Sequence, residues 1–468
     1  MTQDFYQPQW HFRPERNWIN DPNGPIWYQG YYHLFYQYNP HSPYWGDMHW
    51  GHTRSRDLIH WEHLPVALAP DGFHGEKHCF SGCAVLNGET PAILYTSVGE
   101  GSRGARLGAE QRLAVSHDGM ITWERSQKDP VITGEIHKGE QIREWRDPFV
   151  WRENDGWHLL LGGSRNGYGC VLLYRSDNLY DWRYAGILYE TRDYPFLECP
   201  NLLTFGETKV LLYSPNRSVR YHIGRIENDR FVTQAEGILD SSGRSGFYAC
   251  NTLLNDPKGR YITWGWLTEE AKGGLQLSDC TCALSLPRVL SLRENKLCQA
   301  PAEELKTLRR PPEKLQSEPL SGELVFSGYS RSFEIKLDAQ VCASDDFCLH
   351  VLETPDHSES TSVHYCAGTG YLTLEKGRTS LSDEPSKMFQ RAKLEPGTGR
   401  LNLHVFVDYS TIEIFANYQE AISGRLYPIC KNADGVRITG TASSLSATMW
   451  RLKEAKPTFA HLRKGHNP

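Results

Sequence analysis

Three acidic residues stand out by their surroundings. Asp21 lies in Trp18-Ile19-Asn20-Asp21-Pro22-Asn23-Gly24, Asp147 in Arg146-Asp147-Pro148, and Glu198 in Glu198-Cys199-Pro200, and each opens a strand-like apolar run. Paired carboxylates are the usual machinery for splitting a glycosidic bond. One attacks the anomeric carbon in its ionised form, and the other gives a proton to the leaving oxygen. That division of labour needs two different environments. Asn20 and the backbone N–H groups of the turn favour an ionised Asp21. The apolar residues beside Glu198, with two further acids near, are expected to favour its protonated form. The guanidinium of Arg146 can hold Asp147 ionised and in place while binding a sugar hydroxyl. Taken singly, each acid has a plainer reading. Asp-Pro-Asn-Gly is a strong turn signal, and Arg146-Asp147 could be a structural ion pair.

The elements that carry these acids tip the balance. Five segments share one pattern: a small or acidic turn, a strand-like run, a polar turn with glycine, and an apolar strand. They start at Asp21, Ser81, Asp147, Glu198 and Tyr248, at separations of 60, 66, 51 and 50 residues. This is about the length of one four-stranded blade, so the repeats predict a five-bladed β-propeller. The innermost strand of each blade lines the central channel, and equivalent positions at its start converge at one end. The three acids occupy such positions. A second repeated signature leads from Ser55-Arg56-Asp57-Leu58 to Trp61, from Ser116-His117-Asp118-Gly119 to Trp123, and from Ser176-Asp177-Asn178-Leu179 to Trp182. It predicts outer hairpins whose tryptophans pack between blades.

The repeats end near Pro287-Arg288. Residues 301–316, with Pro311-Pro312, read as a short helix and linker. Beyond them the chain alternates at period two, most clearly in LNLHVFVDYSTIEIFAN at 401–417, where Asp408-Tyr409-Ser410 is a hairpin turn. The expected fold is all-β: a propeller over 1–300 and a β-sandwich over 317–468.

Composition bounds the partners. The formal net charge is -6 with no basic run, which argues against nucleic acid or an anionic membrane as partner. No run of about 18 apolar residues is present. Met1-Thr2-Gln3-Asp4 does not begin a signal peptide, and twelve scattered cysteines read as reduced, mostly buried thiols, so a cytoplasmic location is expected. Neither the close pairs Cys79/Cys83 and Cys280/Cys282 nor His49-Trp50-Gly51-His52 has zinc-site spacing, so no metal is expected. The 14 Trp, 24 Tyr and 17 Phe suit stacking on a small carbohydrate. The sandwich could serve as a homodimer surface or as a brace for the propeller.

With these motifs in place, nearly the whole chain resembles glycoside hydrolase family 32, which holds invertases, sucrose-6-phosphate hydrolases, fructan hydrolases and fructosyltransferases. The segments around Asp21, Asp147 and Glu198 resemble that family's nucleophile, transition-state-stabiliser and acid/base motifs. Tyr36-Gln37-Tyr38-Asn39-Pro40 implies Gln37 as a substrate contact. Trp45-Gly46 implies Trp45, Phe80-Ser81-Gly82 implies Phe80 and Ser81, and Trp264-Gly265-Trp266 implies Trp266. Asp408-Tyr409-Ser410 with Glu413-Ile414-Phe415 resembles the signature of the family's C-terminal sandwich. The resemblance implies a propeller, net retention, no cofactor, and β-fructofuranosyl bonds as substrate. Two residues depart from the pattern: Leu197 before the glutamate and Cys83 after Phe-Ser-Gly. Both are expected on the leaving-group side. Competing readings are an inverting five-bladed glycosidase of the arabinanase kind and a non-catalytic fructan-binding protein. If the leaving group is phosphorylated, the loop residues Lys77, Arg103, Arg106, Arg143 and Arg165 are candidate phosphate ligands, against the plainer reading of each as a solvated surface charge.

Overall fold

The five repeats fold as five blades around a common axis. The computed structural model describes residues 5–99, 109–269, 280–383, 385, 387–394 and 399–460. The innermost strands are Asn17–Tyr28, His78–Asn87, Ile142–Glu153, Glu198–Phe205 and Phe247–Leu253. Each leads outward through antiparallel neighbours. Neighbouring inner strands pack against one another, and Phe247–Leu253 returns to Asn17–Tyr28 to complete the ring. The approach is close at Gly24, whose φ is +46° and where a Cβ would come 2.8 Å from the Ala84 nitrogen of the next inner strand. Only glycine meets both conditions without strain.

The first blade is edged by two distant segments. Cys280–Thr281 pairs in parallel with Asn17 and Trp18, and Thr458–Phe459 pairs in parallel with Glu62 and His63 on the outer strand of the same blade. The first blade therefore has both edges covered, which removes open strand edges.

The tryptophans of the second signature pack between blades. Trp61 meets Trp264 of the fifth blade edge-on at 6.3 Å, and Trp123 meets Phe35 of the first at 5.6 Å. Trp182 joins a cluster with Leu113 of the second blade. The loops before them share one device. Ser55, Ser116 and Ser176 each bond the acid or amide two residues on, and Leu58, Met120 and Leu179 follow with φ of 67, 68 and 65°.

The second unit is a sandwich of two six-stranded sheets. Their facing sides bury a core that includes Phe333, Ile335, Phe347, Leu349, Val405 and Ile414. The expected linker is shorter than the sequence suggests. Glu303–Leu308 is a 3-10 turn, but Arg309–Ser317 is a strand paired with Ser444–Leu452. It is the edge strand of its sheet, Pro311 falls in a register break, and Pro312 resumes the pairing opposite Trp450, a place an edge strand tolerates. No helix of the described residues is long and apolar enough to cross a membrane.

Propeller and sandwich meet through buried charges. The Asp408 carboxylate accepts the backbone N–H groups of Gln9, Trp10 and His11 at 2.9–3.1 Å and bonds His11 Nδ1 at 3.0 Å. Glu413 accepts Leu286 N–H at 2.7 Å and Arg288 Nε at 3.0 Å, and bonds His11 Nε2 at 3.0 Å. Arg288 also reaches Asp240 at 3.0 Å. These charged side chains are fully buried. Burial opposes a charge on His11, but the two carboxylates outweigh it and raise its pKa.

Candidate active site

Every inner strand loses register with its neighbour at the same end. The breaks lie between Ile19 and Pro22, Phe80 and Gly82, Arg146 and Phe149, Glu198 and Asn201, and Tyr248 and Asn251. Each is an extra residue with no opposite number, a β-bulge that re-aims neighbouring side chains. Asp147, Cys199 and Ala249 take left-handed backbone there, with φ of 62, 48 and 50°. The starts of the five sequence repeats are thus five bulges around one channel mouth.

At that mouth lies a cavity of about 240 Å³. Its lining includes all ten residues singled out from the sequence: Asn20, Asp21, Gln37, Trp45, Phe80, Ser81, Arg146, Asp147, Glu198 and Trp266. Asp21 comes from the first blade, Asp147 from the third and Glu198 from the fourth. Trp45 stands half-exposed at the rim, its ring 6.2 Å from that of Phe80, and Trp266 is propped edge-on by Trp18 at 5.8 Å.

The three acids are held differently. Asp21 accepts Asn20 Nδ2 at 3.0 Å on one oxygen and Ser81 Oγ at 2.6 Å on the other. Trp18 Nε1 fixes Asn20 in turn, at 2.7 Å. Burial pushes the Asp21 carboxyl up. Ser81 and Asn20 pull it down and the charge of Glu198 adds to the rise, leaving it above the usual value. Asp147 accepts Cys199 N–H at 3.0 Å, and its own N–H is anchored on Thr96 Oγ1 at 3.0 Å. Burial pushes it up to about 7, against the pull of Arg146. The Cys199 thiol, kept protonated by burial, lies 3.5 Å from Asp147 Oδ2 and 3.7 Å from Asp21 Oδ2. Glu198 accepts Arg146 Nη2 at 2.7 Å on one oxygen and the Tyr248 hydroxyl on the other.

The expected environments hold only in part: Asn20 bonds Asp21 as expected, but the surroundings of Glu198 differ. Asp21 is the more enclosed acid, and Glu198 faces a cation and a phenol, not apolar neighbours. Leu197 explains the difference: it is fully buried between the third and fourth blades with Phe149, Leu160 and Leu202. Cys83 likewise points into the packing between the second and third blades. Neither departure from the family pattern lines the cavity. Lys77, Arg143 and Arg165 do not line it either, and Arg165 is engaged by Glu190 at 2.9 Å. Arg103 and Arg106 lie outside the described residues. The lining adds Cys199, Arg244 and Tyr248. Cys199 and Tyr248 belong to quoted motifs, so their place at the bulges was the available signal. Arg244 carries no such mark.

The buried acids give a stability prediction. The folded pKa of Asp147, about 7, lies above the ordinary value of an aspartate, 3.8. The stability of its protonated form is fully present below the unfolded value and is lost as pH rises through about 7. Asp147→Asn cannot ionise, so its thermal midpoint is expected to exceed that of the parent by a few degrees at pH 8 and to match it near pH 4. Melting curves at the two pH values check this. An equal or lower midpoint at pH 8 would show that Arg146 and the Cys199 N–H compensate the burial in full.

Comparison with known proteins places this geometry. Residues 11–301 match the family model described as the glycosyl hydrolases family 32 N-terminal domain, and residues 300–452 match its C-terminal counterpart. A sucrose-6-phosphate hydrolase of Zymomonas mobilis is 31% identical over 97% of this chain and 94% of its own length. A raffinose invertase of Escherichia coli is 30% identical over 96% and 95%. Among solved structures, fructan 1-exohydrolase IIa of Cichorium intybus superposes with a TM-score of 0.86 at 25% identity, covering 98% of this chain and all of that one. With both of its domains matched and its three acids gathered at the mouth of a five-bladed propeller, this chain belongs to glycoside hydrolase family 32.

Proposed function

We propose that the enzyme is a retaining β-fructofuranosidase that releases terminal fructose from sucrose or short fructo-oligosaccharides, with a small carbohydrate as its substrate and no cofactor. The observation that carries this reading is the placement of Asp21, Asp147 and Glu198, from three blades, in one small cavity. The relatives named above all act, by their names, on fructosyl sugars. Asp21 attacks the anomeric carbon. Its two oxygens are oriented by Asn20 and Ser81, so little reorganisation accompanies the attack. Glu198 first protonates the leaving oxygen and then, as base, activates the water that releases fructose. Asp147 holds fructose hydroxyls, with Arg146 beside it. Gln37, Trp45, Phe80 and Trp266 form the sugar-binding wall.

The surroundings of Glu198 suit both halves of that cycle. The Tyr248 hydroxyl accepts Asn216 N–H at 2.6 Å and lies 3.2 Å from the Ser214 carbonyl. Towards an ionised Glu198 it donates. Towards a protonated one it accepts, and its own hydrogen turns to Ser214. Either protonation state of Glu198 is thus left with a partner.

The roles separate in one experiment. Glu198→Ala is expected to lose roughly 10²–10⁴-fold in turnover on sucrose, and far less on a fructoside whose leaving group departs without a proton. Azide is expected to rescue the variant in part and yield a β-fructosyl azide. An α-configured product, or equal losses on both substrates, overturns the assignment.

A further inference from the structure

Arg244 lines the cavity, and the chemistry above leaves it without a task. It sits in the short segment Gly243–Ser245 that leads into the innermost strand of the fifth blade. Its guanidinium is exposed and bonds the side-chain oxygen of Asn216, with the Tyr248 ring 6.0 Å from its centre. Among the described residues it has no carboxylate partner.

The connections of Arg244 fix its side of the cavity. Arg244 bonds Asn216, the Asn216 N–H bonds the Tyr248 hydroxyl, and that hydroxyl bonds Glu198. The chain ends on the acid that protonates the leaving oxygen, so Arg244 stands towards the leaving group.

The loop that carries it is built to be rigid. The Asp240 carboxylate accepts Ser242 N–H at 3.0 Å, and Ser242 Oγ accepts Phe247 N–H at 3.0 Å. The sandwich holds the same loop from outside. Gln390 Nε2 donates to the carbonyls of Ser242 and Ser245 at 3.2 and 3.4 Å, and Ser241 N–H donates to Ala421 O at 2.8 Å. A Cβ at Gly246 would meet the Ser423 carbonyl at 2.2 Å. A long, solvated side chain is thus mounted on a fixed base.

We infer that Arg244 is a specificity-determining residue for a leaving sugar that carries an anionic group, a phosphate monoester or a carboxylate, and that the sandwich positions it through Gln390. Asp21 must be ionised to attack, and an ionised carboxylate in the cavity repels an anionic leaving sugar even with Arg146 present. A second guanidinium offsets the repulsion, and its planar fork binds phosphate or carboxylate through two parallel hydrogen bonds. The inference rests on the fructosidase reading and on the role of Glu198 in it.

The test compares kcat/KM of the parent enzyme and of R244Q on three substrates: sucrose, sucrose 6-phosphate, and sucrose oxidised to a carboxylate at glucose C6. The parent is expected to prefer an anionic substrate over sucrose, and R244Q to lower that ratio at least tenfold, mainly through KM. Loss of preference for the phosphate alone assigns a phosphate site, and loss for both assigns a general anion site. A parent that prefers sucrose, or a ratio unmoved in R244Q, overturns the inference. Failure to release fructose from any of the three overturns the fructosidase reading instead. Gln390→Ala, which leaves the lining residues in place, is expected to move the ratio in the same direction by a smaller factor. A ratio unmoved there removes the sandwich from the inference.

Discussion

Asp21→Ala is expected to release fructose on the order of 10⁵-fold more slowly than the parent, and by a similar factor on every fructoside. The uniformity is the diagnostic part. Without the carboxylate no covalent fructosyl intermediate can form, so a better leaving group does not help, whereas it does help Glu198→Ala. The variant is expected to stay folded. Burial raises the Asp21 carboxyl above its usual value, so its removal relieves a cost at neutral pH. Initial rates on sucrose and on an activated fructoside, with melting curves as control, check both statements. A residual rate within about 100-fold of the parent, a loss of the size expected for an acid/base residue, would remove Asp21 from the attack.

Glu413→Ala is expected to be the most damaging change outside the cavity. It leaves Arg288 fully buried with Asp240 as its remaining carboxylate, and it strips His11 of one of its two. Removing one partner from such a cluster costs about 3–5 kcal/mol, which lowers the thermal midpoint by on the order of 10 °C. The double variant Glu413→Leu, Arg288→Met is expected to lose at least as much as Glu413→Ala alone, because it leaves the Asp240 carboxylate buried without its arginine. A midpoint for Glu413→Ala within about 2 °C of the parent would mean that the interface does not depend on the pair.

Much of the cavity was legible because a propeller repeats. The same turn-then-strand pattern recurs five times, so positions distant in sequence could be equated before any contact was known. Asp21, Asp147 and Glu198 follow from that equivalence. What was not legible depends on neighbours from other blades. The donors to Glu198 come from the third and fifth blades, and the apolar residues beside it in sequence do not reveal them. Leu197 and Cys83 adjoin motif residues, but a strand alternates faces, and both turn into the packing between blades. Arg309–Ser317 was hidden by its Pro-Pro, which is tolerated because the strand is an edge. Arg244 lies in a loop outside the repeat, and that loop is held by Gln390, almost 150 residues away.

The contact between the start of the chain and Asp408 bears on how the protein is made. Gln9, Trp10 and His11 find their carboxylate 397–399 residues later. At about 5–20 residues per second of synthesis, that partner leaves the ribosome roughly 20–80 s after they do. Cys280–Thr281 and Thr458–Phe459, which complete the first blade, also emerge late. The second, third and fourth blades can assemble in order of appearance, while the first must wait with both edges bare. The nascent chain is therefore most exposed to aggregation at its oldest blade, and a chaperone that shields early, unpaired strands would act there.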